Sequence, residues 1–458
     1  MRWFLIFLNL PSFLWAIYDS DSLSINRWRW CFENYGRWGR GYWPYSISLR
    51  NYYISGGGVW IGCIDQGETL ATIGYNITSG TSEMIPSLGR YWRKKGYSPY
   101  HRIYKYPGDW PPPKEIFPFA PQEALSDMEL WCCFSDYDPK IHEPENTRPI
   151  GIDVALTVYG FKDLWAKDFF FLKYELFNNN PYPISDAYFG IVLDGDIGYY
   201  GDDLTGFILD KVFQIGQDTI RIKNTALIYD YDNIERPSSV WTKGTPGAIA
   251  IRLLHSSLGN NLRAFKILED WECLSADALK YLLLAGYNPF QNPPSYVPYD
   301  TIDTLPEDKK FLISSGPFTL FPCSTATFYY AVIGSPFGDS GEVGPKSDTT
   351  ELIWRSWLAE LVFQERLFNR LGRKEKAIPT SEILLFPNPF RSSLFISGEE
   401  KEEVNVQIFN ANGQLVKFLC GQTPLFWDGK DERGERVRQG VYFLRINGKE
   451  KKKVILTE

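Results

Sequence analysis

The chain is 458 residues long, too long for one ordinary hydrophobic core, so two or three domains are expected. Its formal net charge of −7 and pI of about 5.3 remove the basic footprint that a nucleic-acid binder needs. Aromatic residues make up 16% of the chain, which suits large β cores or the sugar-contacting surfaces of extracellular proteins.

At the N-terminus Arg2 precedes Trp3-Phe4-Leu5-Ile6-Phe7-Leu8, Leu10 and Phe13-Leu14-Trp15-Ala16, and the first carboxylate is Asp19. A basic start, an apolar stretch and a small residue at Ala16 have the pattern of a secretory signal peptide over residues 1–16, although Leu14 is a poor residue two places before the cut. The stretch falls short of the roughly 20 apolar residues of a membrane span, and no later segment reaches that length. No transmembrane span is therefore expected in the mature chain.

Residues 17–147 read as a Gly/Pro/aromatic-rich β region, with short apolar pieces such as Gly58-Val59-Trp60-Ile61-Gly62 and an extended connector at Pro111-Pro112-Pro113. From 148 to 335 strand signals become regular. Ile152, Val154 and Leu156 alternate with polar or small residues, and apolar runs follow at Phe169–Leu176, Ala187–Leu193, Ala248–Ile251, Phe311–Ile313 and Thr327–Val332. Many short strands separated by turn residues predict a β-sandwich. The period then changes: Ile353, Trp357, Leu361, Phe368 and Leu371 make the apolar stripe of an amphipathic helix over 349–372, suited to packing on the sandwich before a linker at 373–383. Seven cysteines, Cys31, Cys63, Cys132, Cys133, Cys273, Cys323 and Cys420, show no metal-ligand spacing, and the vicinal pair Cys132-Cys133 is poorly placed to staple anything. Few or no disulfides are expected.

Residues 384–458 predict a small sandwich by their own patterning. Val404, Val406 and Ile408 alternate with Asn405, Gln407 and Phe409, and Asn412-Gly413 supplies a two-residue hairpin turn into Leu415-Val416 and Phe418-Leu419. Trp427 is the large anchor that a short domain needs, Asp428, Gly429 and Gly434 suit a tight turn, and Gly440 opens the strand of Val441, Tyr442 and Phe443. Asn447-Gly448 turns the chain again, and Lys451-Lys452-Lys453 lead into a last apolar strand. Taken in order, Phe386-Pro387-Asn388-Pro389-Phe390, Gly413, Trp427-Asp428-Gly429-Lys430-Asp431, Gly440-Val441-Tyr442 and the lysine cluster resemble the C-terminal sorting domain of bacterial type IX (Por) secretion cargo, a relative of the Ig-like domain of the flagellar hook-assembly protein. That resemblance implies outer-membrane secretion machinery as a partner, a cell-surface or extracellular destination, and Pro387, Asn388, Pro389, Phe390, Gly413, Trp427, Asp428, Gly429, Gly440 and Tyr442 as motif positions. A looser resemblance, carried by Asn34-Tyr35-Gly36-Arg37-Trp38-Gly39, Gly58–Gly62, Asp194–Gly198 and Ser315-Gly316-Pro317-Phe318, links the body to uncharacterised secreted bacterial proteins with the same type of sorting domain. It brings no activity with it.

Three patterns could carry chemistry. Asp194, Asp196, Asp202 and Asp203 stand in a Gly-rich loop after a strand, and hard oxygen ligands so spaced suit Ca²⁺. The spacing is not an EF-hand, and the sequence leaves calcium and solvated Asp turns both open; Asp230, Asp232 and Asn233 could complete the site or form their own. If calcium binds, its role is structural. Gly338-Asp339-Ser340-Gly341 matches a serine-protease nucleophile segment, but His101, His142 and His255 lack the matching context. Glu175, Asp186, Asp194 and Asp196 are the candidates for a glycosidase pair, which needs two carboxyls about 5–9.5 Å apart across a cleft. The expectation is an exported binding or structural protein, with glycans or surface proteins as partners; the alternative is a secreted carbohydrate-active hydrolase.

Overall fold

The computed structural model describes residues 18–457 except 47, 90–97, 145–146, 216–217, 243, 260, 270–273, 323, 337–349, 369–383, 387, 392, 398–402, 423–424 and 448–449. The signal-peptide segment, the 373–383 linker, the Gly338–Gly341 loop, Pro387, Cys273 and Cys323 thus lie outside the described residues. The fold is mainly β, with a sandwich body and a separate C-terminal sandwich. The chain divides into one compact unit of 1–179, 184–320 and 324–364 and another of 180–183, 321–323 and 365–458.

The body is built from two antiparallel sheets. One runs in the order Ser20–Ile25, Trp28–Glu33, Arg37–Ser46, Leu49–Asp65, Ile184–Gly195, Lys309–Leu320 and Ala264–Leu268, with Glu68–Ile73 also on Leu49–Asp65. The other runs Asp203–Ile215, Asp218–Asp230, Gly247–Ser256, Thr325–Pro336, Phe169–Asn178, Ile152–Gly160, Met128–Ser135 and Ile85–Pro86, with Tyr104–Tyr106 also on Met128–Ser135. Both sheets combine strands from before and after residue 148. The expected division at 147/148 is therefore corrected: Ile191 pairs with Val59, and Leu130 pairs with Val158.

The space between the sheets is filled by aromatic rings. Trp28, Trp30 and Phe32 from the first sheet meet the edge or face of Phe170 from the second at centroid distances of 5.1, 5.5 and 6.2 Å. Phe189 stacks on Phe328 at 4.6 Å. Trp38 is fully buried, and its indole N–H donates to the Tyr174 hydroxyl at 2.9 Å, so the polar tip of a core indole is satisfied across the sandwich. The 16% aromatic content thus goes largely into packing.

Each sheet is covered on its outer face. A short helix, Asp277–Leu284, absent from the strand reading, seats Leu283 and Leu284 over Trp60, Tyr188, Val192 and Leu312. Gly190 makes this approach feasible, since a Cβ there would lie 2.7 Å from Leu284 Cδ2 and 2.8 Å from Leu312 Cδ1. On the second sheet lies helix Thr350–Val362, continued as a π-helical turn Phe363–Phe368. Within the described part of the expected 349–372 helix the stripe is corrected: Leu352, Ile353, Ser356 and Ala359 are buried, whereas Leu361 and Phe368 are exposed. Polar docking turns the helix away from its purely apolar phase. Buried Arg252 donates to Ser356 O at 2.7 Å and pairs with Glu360, and Arg355 pairs with Asp168.

The C-terminal unit is the expected small sandwich. Sheet Leu384–Phe386, Leu394–Ser397, Leu425–Trp427 faces sheet Leu415–Gln422, Glu403–Asn410, Gly440–Ile446, Glu450–Leu456. Leu394, Ile396 and Trp427 from the first meet Val404, Val406, Ile408, Leu444, Ile446 and Val454 from the second in one core. Among the described residues Cys31, Cys63, Cys132 and Cys420 are free thiols.

Candidate functional site

The four aspartates read from the sequence are not one site. The structure brings Asp194 and Asp196 together with Asp308, and Asp202 and Asp203 together with Asp230; within each trio, one carboxylate oxygen per residue lies within 4.8 Å of the others. Asp194 closes strand Ile184–Gly195, and residue 196 begins the loop that leads to strand Asp203–Ile215. That loop is pinned to the neighbouring strand, where Asp196 N donates to Tyr53 O at 3.2 Å and Gly198 N to Tyr52 O at 3.1 Å. Ile197 is fully buried between these anchors, so the chain must turn there, and the flanking aspartates diverge into two groups.

The Asp194 group holds a cation of its own. Lys310, buried, places Nζ 3.6 Å from Asp194 Oδ1 and 3.0 Å from Asp308 Oδ1, and the Tyr75 hydroxyl donates to Asp194 Oδ2. Burial pushes Asp194 up to about 7 and Asp196 up to about 6, with the Lys310 ammonium opposing the rise in both. Asp308 and Lys310 have no sequence signal near residue 194. Only the pairing of strand Lys309–Leu320 with Ile184–Gly195, Asp194 opposite Lys310, delivers them.

The Asp202 group is built differently. Asp203 and Asp230 are directly opposite one another at the base of the hairpin formed by Asp203–Ile215 and Asp218–Asp230. Asp203 Oδ2 accepts Ile197 N–H at 3.0 Å, and Asp230 Oδ1 accepts the N–H groups of Asp232, at 3.1 Å, and Asn233. The remaining oxygens, Asp203 Oδ1 and Asp230 Oδ2, are buried with no hydrogen-bond partner, as is Asp202 Oδ1. Both Asp203 and Asp230 are 0% exposed, so bulk solvent does not reach them. Tyr231 N donates to Asp202 O at 2.9 Å and Tyr199 N to Glu235, so the 231–235 loop closes over the 196–202 loop. Gly198, at φ +80°, allows this, since a Cβ there would sit 2.3 Å from Glu235 Cγ. Burial first, then the negative charges of Asp202 and Asp232, push Asp230 up to about 8; burial drives Asp203 well above the carboxylate range, and Asp202 is raised by burial and Asp232.

A third buried polar group was not visible in the sequence. His142 lies 3.3 Å from Glu83 through Nδ1 and 3.3 Å from Asp277 through Nε2, while Lys280 Nζ lies 2.7 Å from Glu83 and 3.6 Å from Asp277. Two carboxylates thus face two cations. Burial pulls His142 down, but Asp277 and Glu83 outweigh it and hold the imidazole up at about 9. The residues come from positions up to 197 apart, beyond any spacing rule.

The glycosidase candidates do not converge as a free pair. Glu175 is bound to Lys173 at 3.0 Å, Asp194 and Asp196 belong to the lysine-neutralised group, and Asp186 sits exposed at an irregularity of its strand. A surface depression lined by Tyr299 and Phe290 also holds Asp300, Asp303 and Glu307. Asp300 is bound to Lys266 at 2.6 Å, and Asp303 and Glu307 to Lys309 at 3.2 and 3.0 Å.

In the C-terminal unit the sorting motif residues act as structural fasteners. Asn388 Nδ2 donates to Lys453 O at 2.9 Å and its Oδ1 accepts Ile455 N–H at 2.9 Å, so one side chain stitches the Pro-Asn-Pro-Phe segment to strand Glu450–Leu456. Phe390, buried, lies 5.3 Å from Trp427, which lies 5.1 Å from Tyr442. Trp427 Nε1–H donates to Lys430 O at 2.8 Å, and Asp428 Oδ1 accepts Lys430 N–H at 3.1 Å, closing the turn that Gly429 enters at φ +72°. Tyr442 donates its hydroxyl to Arg438 O, ahead of Gly440. Gly413 takes φ +77° in the Asn-Gly hairpin. Pro389 is exposed beside them. Asn388, Phe390, Trp427, Asp428 and Tyr442 thus each make a contact that holds this unit together.

No curated protein matches the chain. Among solved structures it is similar to a polysaccharide lyase, at 9% identity and a TM-score of 0.29, over 96% of this chain and 46% of that one, so it spans about half of the lyase's length. It is also similar to dimeric latent PorU from Porphyromonas gingivalis, at 13% identity and a TM-score of 0.14 over 58% of this chain and 31% of that one. A third similarity is to PorZ of the same organism, a surface component of its type IX secretion system, at 10% identity and a TM-score of 0.16 over 99% and 76%. These superpositions are too weak to bear on fold or activity. The family description "Secretion system C-terminal sorting domain" matches residues 384–457, the same span as the small sandwich. Residues 384–457 are a type IX secretion C-terminal sorting domain, which implies engagement of that machinery and export to the cell surface or beyond.

Proposed function

We propose that the chain is surface-delivered or secreted cargo whose β-sandwich body binds or builds rather than catalyses. The observation that carries this reading is the coupling of the sorting domain to a body in which two of the four candidate carboxylates are held by lysines. Glu175 and Asp194, like Asp300, Asp303 and Glu307 of the surface depression, each have an ammonium within 3.6 Å. The general acid of a sugar hydrolase must carry a proton, and a bound ammonium opposes protonation. Residues 1–16 would supply entry to the export route. Glycans or neighbouring surface proteins are the partners in this reading, since aromatic faces on rigid sheets suit sugar rings and protein surfaces alike.

The test is fractionation of cells producing the full chain or a form lacking residues 384–458. The full chain is expected at the surface or in the medium, and the shortened form is expected to stay inside. Equal delivery of both would remove the export reading. Purified full chain is then assayed on a glycan array and for release of reducing sugar from polysaccharides; turnover would replace the binding reading by the hydrolase one.

A further inference from the structure

We propose that Asp202, Asp203 and Asp230 bind one hard divalent cation, calcium, which ties the base of the 203–230 hairpin to the 196–202 loop. Export and catalysis play no part in this inference, so it stands or falls separately from the proposed function.

Within the trio, carboxylate oxygens no more than 4.8 Å apart can all touch one ion, because calcium–oxygen distances of about 2.3–2.6 Å place ligands on a sphere of that width. The second observation is the state of the buried oxygens. Asp203 and Asp230 each spend one oxygen on backbone N–H groups, and each leaves the other buried without a hydrogen-bond partner. Buried carboxylate oxygens are ordinarily satisfied, and an exception in a fully enclosed pair marks a missing positive charge. Like charges directly opposite on antiparallel strands also repel, and this pair sits opposite in register.

Among the described residues no protein cation answers them. Lysine 310 serves Asp194 and Asp308, Lys309 serves Asp303 and Glu307, and among the described residues none pairs with Asp202, Asp203 or Asp230. The charges bearing on Asp230 are those of Asp202, Asp232 and Glu235, all of one sign. The donors are all oxygen, which selects a hard ion over zinc or copper. The irregular arrangement from two strands and a loop suits calcium, which accepts six to eight ligands in flexible geometry, better than magnesium, which demands a near-ideal octahedron. Protons are the competing neutralisers, and the experiment separates the two.

The full chain, stripped with chelator and dialysed at pH 7.5, is titrated with CaCl₂ by calorimetry, and its melting temperature is read in calcium and in chelator. One calcium per chain is expected, with a dissociation constant of about 10⁻⁵ to 10⁻³ M, weaker binding of MgCl₂, and a higher melting temperature in calcium. Asp203→Asn preserves shape and an acceptor for Ile197 N–H, and is expected to weaken calcium at least tenfold. Asp202→Asn, at a half-buried loop position, should do the same and serves if the first variant does not fold. Asp308→Asn, in the neighbouring trio, should leave calcium affinity unchanged. The proposal is overturned by the absence of calcium heat with equal melting temperatures in calcium and chelator. It is equally overturned if Asp202→Asn and Asp203→Asn bind as the parent does while Asp308→Asn does not, or if magnesium binds more tightly than calcium.

Discussion

Two trios of aspartate flank one loop, yet among the described residues one carries its counter-charge and the other does not. Around Asp194 the fold delivers Lys310 on the neighbouring strand, with the Tyr75 hydroxyl beside it. Around Asp203 it delivers only backbone N–H groups and more carboxylates. The buried quartet of Glu83, His142, Asp277 and Lys280 follows the first pattern, two negative groups against two positive ones. The lesson is that clustering of acids says little by itself. What distinguishes a self-sufficient ion network from a cation site is whether the charge account closes within the protein.

The largest expected effect comes from opening the closed account. Lys310→Met leaves Asp194 and Asp308 without their ammonium, and breaking a buried pair in this way costs roughly 3–5 kcal/mol. Urea denaturation measures it, and in the variant added calcium should recover part of the loss. A Lys310→Met chain as stable as the parent would mean that the two trios do not differ in the way described.

An intermediate effect is expected from pH in the absence of metal. Asp230 is raised in the folded chain to about 8 from 3.8, so its protonated form favours the fold. The stability this contributes is complete below about pH 4 and is lost as pH rises through 8. Melting temperature in chelator should therefore fall between pH 5 and pH 8 by several degrees, and the fall should be smaller in saturating calcium, which supplies the missing charge. Parallel pH profiles with and without calcium would erase the distinction between the trios.

The smallest effect concerns the quartet. His142 is raised above 6.5 to about 9, so its contribution is whole below pH 6.5 and lost as pH passes 9. Ring-proton NMR of the three histidines should show one titrating near 9 and absent from His142→Gln, whereas His101, held down by burial, should titrate below its usual range. A midpoint for His142 near 6.5 would contradict the closed account of that group.

The legible parts of this protein are those where neighbouring residues act on one another. Alternation at Val404, Val406 and Ile408, the Asn412-Gly413 turn and the Trp427-Asp428-Gly429 run specify the C-terminal sandwich because each works within a hairpin, over a few residues of chain. Sorting-domain identity was readable for the same reason: its motif residues are the fasteners of that short unit. The body's β class was legible too, from strand-length apolar runs. Its single-body topology was not, because pairings such as Ile191 with Val59 join strands more than a hundred residues apart and leave no local trace. Helix Asp277–Leu284 was missed because eight residues give little more than two turns of periodicity.

At the candidate site the same boundary applies. The sequence alone determined that acidic loops follow the strand ending at Gly195 and the strand ending at Asp230, since Asp and Gly at those spacings favour turns in any context. Only the tertiary structure decided that Asp194 and Asp196 part from Asp202 and Asp203. Ile197 buries itself in the core between them, strand register sets Lys310 against Asp194, and hairpin register sets Asp230 against Asp203. Charge compensation is a property of distances in space, and in a sheet those distances are set by strands whose order along the chain is unrelated to their order in the fold.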